Sequence, residues 1–228
     1  MDKIFNRTIG LIGEEKFNKI HDKTLAIFGL GGVGGTAFEA LVRTGFDHFV
    51  ICDFDNVDET NLNRQILYTA KDIGLKKVEC ATKRAREINS DVSIEIIGEK
   101  LSKENIQNLD KYKIDFVIDA IDDSNAKIAL ATYCLQKDIP MIMSLGMACR
   151  VDPSKVGITK LNKTTSDPLA KKMRYEIKKL GLDTSKINVA FSSELRMTEG
   201  VELNSVMFVP SSAGLNIANY VFSYLINN

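Results

Sequence analysis

The stretch DFDNVDETNLNRQ, Asp53 to Gln65, sets three carboxylates (Asp53, Asp55 and Asp58) just ahead of Asn61, Asn63 and Arg64. A second cation, Lys77, stands at the start of the next helical pattern, and a further carboxylate, Asp122, follows an apolar run. Acids of this kind can hold sugar hydroxyls or a divalent ion, and cations with amides can neutralise phosphate oxygens. The set is suited to a nucleotide, and its cations bear on whether a phosphoanhydride bond is broken.

Upstream, TLAIFGLGGVG places Gly29, Gly31 and Gly34 in the spacing G-x-G-x-x-G between an apolar run and a helical pattern, with Gly32 inside the turn. Glycines let the backbone turn tightly and approach a phosphate, whose charge is met by the helix N-terminus. Asp53 lies 24 residues after Gly29, at the end of the next apolar run, where an acid binds ribose hydroxyls. By itself this fingerprint fits NAD as well as ATP. A hydride-transferring enzyme keeps the pyrophosphate intact and needs no cations poised around it. An adenylating enzyme builds negative charge on the phosphoryl oxygens and on departing pyrophosphate. Arg64, eleven residues past Asp53, and Lys77 can both reach back over the glycine turn. Asn61 and Asn63 add neutral donors, Asp55 joins the nucleotide-binding set, and Asp122 can hold Mg²⁺. These cations favour adenylation over hydride transfer, with solvated charge in a long loop as the plain alternative.

The elements that must position these groups are legible as alternating apolar runs and helical spacings. TLAIFG, HFVICD, VSIEIIG, IDFVIDA and IPMIMSLG read as five strands. The residues after GLGGVG, those in GLKKVECATKRAREINS and Ser124 to Lys137 read as helices between them. Strands alternating with helices give an α/β, doubly wound, mostly parallel sheet of Rossmann-like type. The fourth and fifth strands are apolar almost throughout, as a sheet covered on both faces requires.

Past Arg150 the rhythm changes. A strand and polar loop lead to a helix capped by Asp167, with Pro168 in its first turn and Leu169, Met173, Ile177 and Leu180 as its apolar stripe. INVAF and VMFVP read as two short strands flanking a hydrophilic loop, Ser192 to Ser205, before a terminal helix. Ser192 to Arg196 reads as a lid or as a passive loop. Residues 1–150 form the nucleotide-binding portion, and residues 151–228 a C-terminal extension of the same domain.

The net charge is zero, so its total does not point to a polyanionic partner, but its distribution is uneven. Residues 151–228 hold 10 Lys and Arg against 7 Asp and Glu, mostly between Lys155 and Lys186. Cys52, Cys80, Cys134 and Cys149 include no C-x-x-C pair, so they suggest buried thiols in a reducing compartment, without zinc or disulfides. The charged opening MDKIFNRTIGLIGEEKF is unlike a signal peptide, and the apolar tail is interrupted by Pro210, Asn216 and Asn219. The expectation is a soluble, cytoplasmic protein in which His21 and His48 are structural.

Taken together, GLGGVG, DFDNVDETNLNRQ, GLKKVE and DAIDDS resemble the adenylation domain shared by the MoeB, ThiF and HesA enzymes, relatives of the ubiquitin-activating enzymes. The resemblance implies that Asp53 holds ribose, that Asn61, Arg64 and Lys77 bind the ATP phosphates, and that Asp122 binds Mg²⁺. Arg7 matches an N-terminal arginine that reaches into the partner subunit's site, which implies a homodimer. One departure is Asp123, where the family often has asparagine.

The second half, with VDPSKVGITKLNKTTSDPLAKKMR and VAFSSE, resembles the tRNA threonylcarbamoyladenosine dehydratases, the TcdA or CsdL group. That resemblance implies ATP-dependent activation of the threonylcarbamoyl carboxylate on a tRNA adenosine, followed by ring closure with loss of water. It also allows a monovalent cation (K⁺ or Na⁺) and a sulfur-relay protein associated with a cysteine desulfurase as partner. Residues 151–228 contain no cysteine, which suits an internal nucleophile. The positive strip then becomes a tRNA contact, with Lys163, Thr164, Asp167, Pro168 and Arg174 near the substrate. Two rivals stand beside this reading: adenylation of the C-terminus of a ubiquitin-like or sulfur-carrier protein, with Cys149 as the nearest thiol, and an NAD-dependent oxidoreductase or nucleotide sensor.

Overall fold

The computed structural model of the chain describes residues 3–165, 167–197 and 204–228. Two short helices, α1 (Asn6–Ile12) and α2 (Glu14–His21), lead into β1 (Thr24–Phe28). The glycine turn follows, and then α3 (Gly32–Thr44), β2 (His48–Cys52), α4 (Lys77–Ile88), β3 (Ser93–Ile97), β4 (Phe116–Asp119), α5 (Ser124–Gln136) and β5 (Met141–Ser144). After β5 come β6 (Val156–Lys160), α6 (Pro168–Lys179), β7 (Asn188–Ser192) and α7 (Phe208–Asn227).

The strands form one sheet in the order β3-β2-β1-β4-β5-β7-β6. All neighbours are parallel except β6, which runs antiparallel to β7 at the edge. β7 pairs directly with β5, so the strands past residue 150 complete the sheet begun by the first five.

Alternation along β1 explains the two-sided core. Leu25 and Ile27 face a layer with Phe38, Leu41, Val209, Ile217 and Val221, from α3 and α7. Ala26 and Phe28 face Leu130, Cys134, Met173 and Ile177, from α5 and α6. Because the central strands are covered on both sides, helix ends must be fixed sharply. Gly45 closes α3 at φ 112°, where a Cβ would stand 2.4 Å from Phe17 Cε2. Asp123 accepts from Asn125 N and Ala126 N to cap α5, and Asp167 accepts from Ala170 N to cap α6, behind Pro168.

Two sequence expectations are corrected. VMFVP is no strand: Phe208, Val209 and Pro210 are the first turn of α7, which buries Val209, Ala213, Ile217, Val221 and Leu225 at helical spacing. Pro210 is tolerated there because the amide it lacks has no intrahelical partner in a first turn. Leu180 leaves the stripe of α6, lying past its last turn at 54% exposure, whereas Ala170, Met173 and Ile177 are fully buried. No helix among the described residues is long and apolar enough to cross a membrane.

Candidate active site

The strand order reverses between β1 and β4, and in open parallel sheets that crevice is where ligands bind. A cavity of about 330 Å³ opens there. Gly29, Gly31 and Gly32 form its floor, Asp53 and Asp55 one wall, and Arg64, Lys77, Lys100 and Asp122 the rest of its charged lining.

The glycines do different jobs. Gly29 sits at φ 89°, and a Cβ there would lie 2.5 Å from Ala120 O, so only glycine lets β1 turn away beside β4. Gly34 does not line the cavity; a Cβ on it would fall 1.8 Å from Gly29 O, so it seats α3 against the turn.

Asp53 is tied to the turn it follows. Its Oδ2 accepts from Leu30 N at 2.7 Å and its Oδ1 from Asp55 N at 3.0 Å. Burial pushes this carboxyl above the usual aspartate range, and the positive charge of Lys77 opposes the shift. Lys77, itself buried, extends its ammonium to Asp55 Oδ2 at 2.9 Å. Arg64 Nη1 donates to Thr60 O at 2.7 Å and Asn63 Oδ1 at 2.9 Å, while Asn63 Nδ2 donates to Ser205 O. Arg64 and Lys77, far apart from the glycine turn in sequence, thus meet over it in one cavity.

Asp122 has no hydrogen-bond or ion-pair partner among the described residues, in contrast to Asp55 and Asp123. A single free carboxylate beside a phosphate site fits Mg²⁺, which is commonly held by one or two carboxylates, substrate phosphates and water. No group of three His, Cys, Asp or Glu among the described residues could hold a metal by itself.

The remaining expected residues lie elsewhere. Asn61 Oδ1 accepts from Asp58 N in a capping box, and Asn61 is not part of the cavity lining. Arg7 is exposed on α1 and does not line its own chain's cavity. His21 and His48 both approach Asp47, at 3.2 and 3.6 Å, at the opposite end of the sheet.

Sequence reasoning missed several residues. Lys100 lines the cavity just after β3, pairs with Asp123 Oδ2 at 2.8 Å and stands 5.5 Å from the centre of the Phe54 ring. Its place three residues beyond a strand's carboxyl end is a signal that was available. Beneath the cavity, Lys127 and Asp119 form a pair at 2.9 Å with side chains 1% and 0% exposed. Arg150 is a hub with no local signature. It donates to Gly146 O and Glu194 O, and its Nη2 lies 3.5 Å from Asp167 Oδ2, joining the cavity wall to the start of α6. Glu194 in turn accepts from Val151 N and Asp152 N. Arg174 donates to Thr164 O and Oγ1, while Cys149 is buried with Arg196 Nη2 3.3 Å from its Sγ. The lid expectation for Ser192 to Arg196 thus falls on tethered residues, and within the longer loop, Ser192 to Ser205, residues 198–203 lie outside the described residues.

Against known proteins, the model of the ThiF family matches residues 5–179. The chain belongs to the ThiF family. Within it, the chain is 34% identical over 242 residues to the tRNA threonylcarbamoyladenosine dehydratase of Bacillus subtilis, covering 98% of this chain and 95% of that relative. The enzyme of the same name from Escherichia coli K12 is 36% identical over 174 residues, 76% of this chain and 65% of that protein. The solved structure of the Escherichia coli enzyme in complex with ATP superposes with a TM-score of 0.93 at 31% identity, covering 99% of this chain and 94% of that one. The likeness therefore runs through the last two strands and α7 as well as the family's adenylation portion.

Proposed function

We propose that this ThiF-family protein is an ATP-dependent tRNA threonylcarbamoyladenosine dehydratase. The reading is carried by its near full-length likeness to enzymes of that name, together with a cavity whose lining suits a nucleotide triphosphate. Residues 1–150 hold ATP, and residues 151–228 face the modified adenosine and its tRNA.

The chemistry assigned to the chain follows from the charges. The substrate carboxylate attacks the α-phosphorus of ATP, forming an acyl–adenylate and releasing pyrophosphate. Arg64 and Lys77 neutralise the charge that develops on the phosphoryl oxygens and the leaving group. Asp53 receives the ribose hydroxyls, and Asp55 orients Lys77 until a phosphate replaces it. Asp122 would hold Mg²⁺, which supplies charge neutralisation on the triphosphate when bound. An internal nitrogen of the threonylcarbamoyl group then attacks the acyl carbon, losing its proton and expelling AMP. The sum is one ring closed and one water's worth of atoms removed. No enzyme thiol enters, in keeping with a second half that has no cysteine.

The same reading makes the protein a cytoplasmic homodimer in which Arg7 of one copy completes the ATP site of the other. Support for this comes from the exposure of Arg7 on α1, beside Ile4 at 48% and Leu11 at 81% exposure. The test of function is mass spectrometry of tRNA nucleosides after incubation with protein and MgATP. Threonylcarbamoyl-adenosine lighter by one water is the expected product. An unchanged nucleoside, with ATP consumed only when a small carrier protein is added, would overturn the assignment.

A further inference from the structure

Helix α6 presents a second surface, outside the nucleotide cavity. Its buried side, Ala170, Met173 and Ile177, packs into the core, so the opposite side, centred on Tyr175, is not needed for core packing. On that side Tyr175 is 65% exposed. The surface neighbours of a helical residue are the positions three and four away in each direction. For Tyr175 all four, Lys171, Lys172, Lys178 and Lys179, are exposed lysines. Neither the Tyr175 ring nor its hydroxyl has a partner among the described residues. A lysine-rich face alone is what a solvated helix shows. An open aromatic ring at its centre adds nothing to solubility, and it is the feature that calls for a ligand.

Two forces are available on this patch. Ammonium groups attract phosphates and release counterions, which gives affinity without sequence preference. An exposed aromatic face stacks an unpaired base, since every base has a π-face, whereas a paired base within a duplex offers none. The patch also adjoins the catalytic end of the molecule. Lys172 Nζ donates to Ser124 Oγ at 2.6 Å, and Ser124 begins α5 two residues beyond Asp122 of the cavity.

We infer that Tyr175 is a stacking platform for an unpaired base of the RNA substrate, with Lys171, Lys172, Lys178 and Lys179 holding the phosphates on either side. The identity of that RNA as a tRNA rests on the function proposed above; the platform itself rests on the surface of α6. A base stacked there anchors a single-stranded loop beside the cavity, while a neighbouring nucleotide enters the site.

The test uses the full chain and three probes: a hairpin RNA with an unpaired loop, a fully paired RNA duplex, and vesicles containing an anionic phospholipid. Tyr175→Ala should weaken hairpin binding about tenfold or more, Tyr175→Phe should retain it, and neither should alter duplex binding. Replacing Lys171 and Lys178 with glutamate should weaken both RNAs and flatten the salt dependence. In turnover, Tyr175→Ala should raise KM for tRNA with kcat and KM for ATP unchanged, which a folding defect would not produce. Hairpin binding by Tyr175→Ala equal to that of the unaltered protein, loss of binding by Tyr175→Phe, or preference for vesicles over RNA would each overturn the platform. The two claims separate cleanly. Tyr175-dependent hairpin binding without dehydration would sustain the platform and defeat the proposed function. Dehydration with KM for tRNA indifferent to Tyr175→Ala would do the reverse.

Discussion

Two kinds of lysine–aspartate pair surround the nucleotide cavity, and they differ in burial far more than in length. Lys77–Asp55 and Lys100–Asp123 close at 2.9 and 2.8 Å on the rim, with their aspartates 50% and 30% exposed. Lys127–Asp119 closes at the same 2.9 Å beneath the floor, where both side chains are essentially inaccessible. Each rim carboxylate is open to solvent, so an incoming phosphate can take its place and keep the lysine paired. This matters most for Lys77, because that side chain is itself buried. Nothing can replace Asp119 next to Lys127, because an isolated charge in that setting is costly. Similar distances therefore describe different devices: on the proposed function the rim pairs keep cations in place for a substrate, and the buried pair ties α5 to the end of β4, across the crossover on which Asp122 stands.

The strongest way to break this contrast is Lys127→Met. It strands the Asp119 carboxylate, whose Oδ2 already lacks a partner, and should cost about 3–5 kcal/mol in chemical denaturation. Adding Asp119→Asn should restore much of that loss, and a single variant as stable as the parent would show the pair to be dispensable. Next in size, Arg64→Ala should lower turnover roughly a hundred- to a thousandfold with the melting temperature unchanged, because the arginine acts on developing charge and is not part of the core. Retained turnover would remove it from the mechanism.

A subtler effect concerns pH. Burial holds the folded carboxyl of Asp53 above its unfolded value, so the folded chain binds more protons in between, and stability falls as pH rises through that window. Ribose binding needs the ionised form, so KM for ATP should climb on the acid side. Lys77→Met removes the charge that favours ionisation and should move this limb to higher pH; a limb that stays in place would disconnect the two residues. The smallest change belongs to Asp123→Asn, which should leave the melting temperature as it is and alter KM for ATP only modestly, since Lys100 remains free to meet a phosphate. A large loss of stability there would mean that the rim pair behaves like the buried one.

Much of this arrangement can be read from local sequence. The five parallel strands and the glycine turn follow from short apolar runs, and Gly29, Asp53, Lys77 and Asp122 fall at the ends of the elements that those runs define. VMFVP misled because β-branched and aromatic residues around a proline look like a strand, whereas the helical repeat begins at Val209 and becomes clear only with Ala213, Ile217 and Val221. Arg150 was invisible for another reason. Its partners Glu194 and Asp167 lie 44 and 17 residues away and meet it only after β7 inserts beside β5. Likewise, Lys127 and Asp119 look like ordinary surface charges until two-sided coverage of the sheet buries them.

The claim on which the mechanism turns is that the substrate carboxylate attacks the α-phosphorus while Arg64 and Lys77 hold the departing pyrophosphate. It is tested most directly by labelling that carboxylate with a heavy oxygen isotope and following the label through one turnover. Attack at the α-phosphorus predicts one labelled oxygen in the AMP released on ring closure, with the labelled AMP appearing more slowly with Arg64→Ala. Label recovered in orthophosphate or in water, with AMP unlabelled, would contradict it.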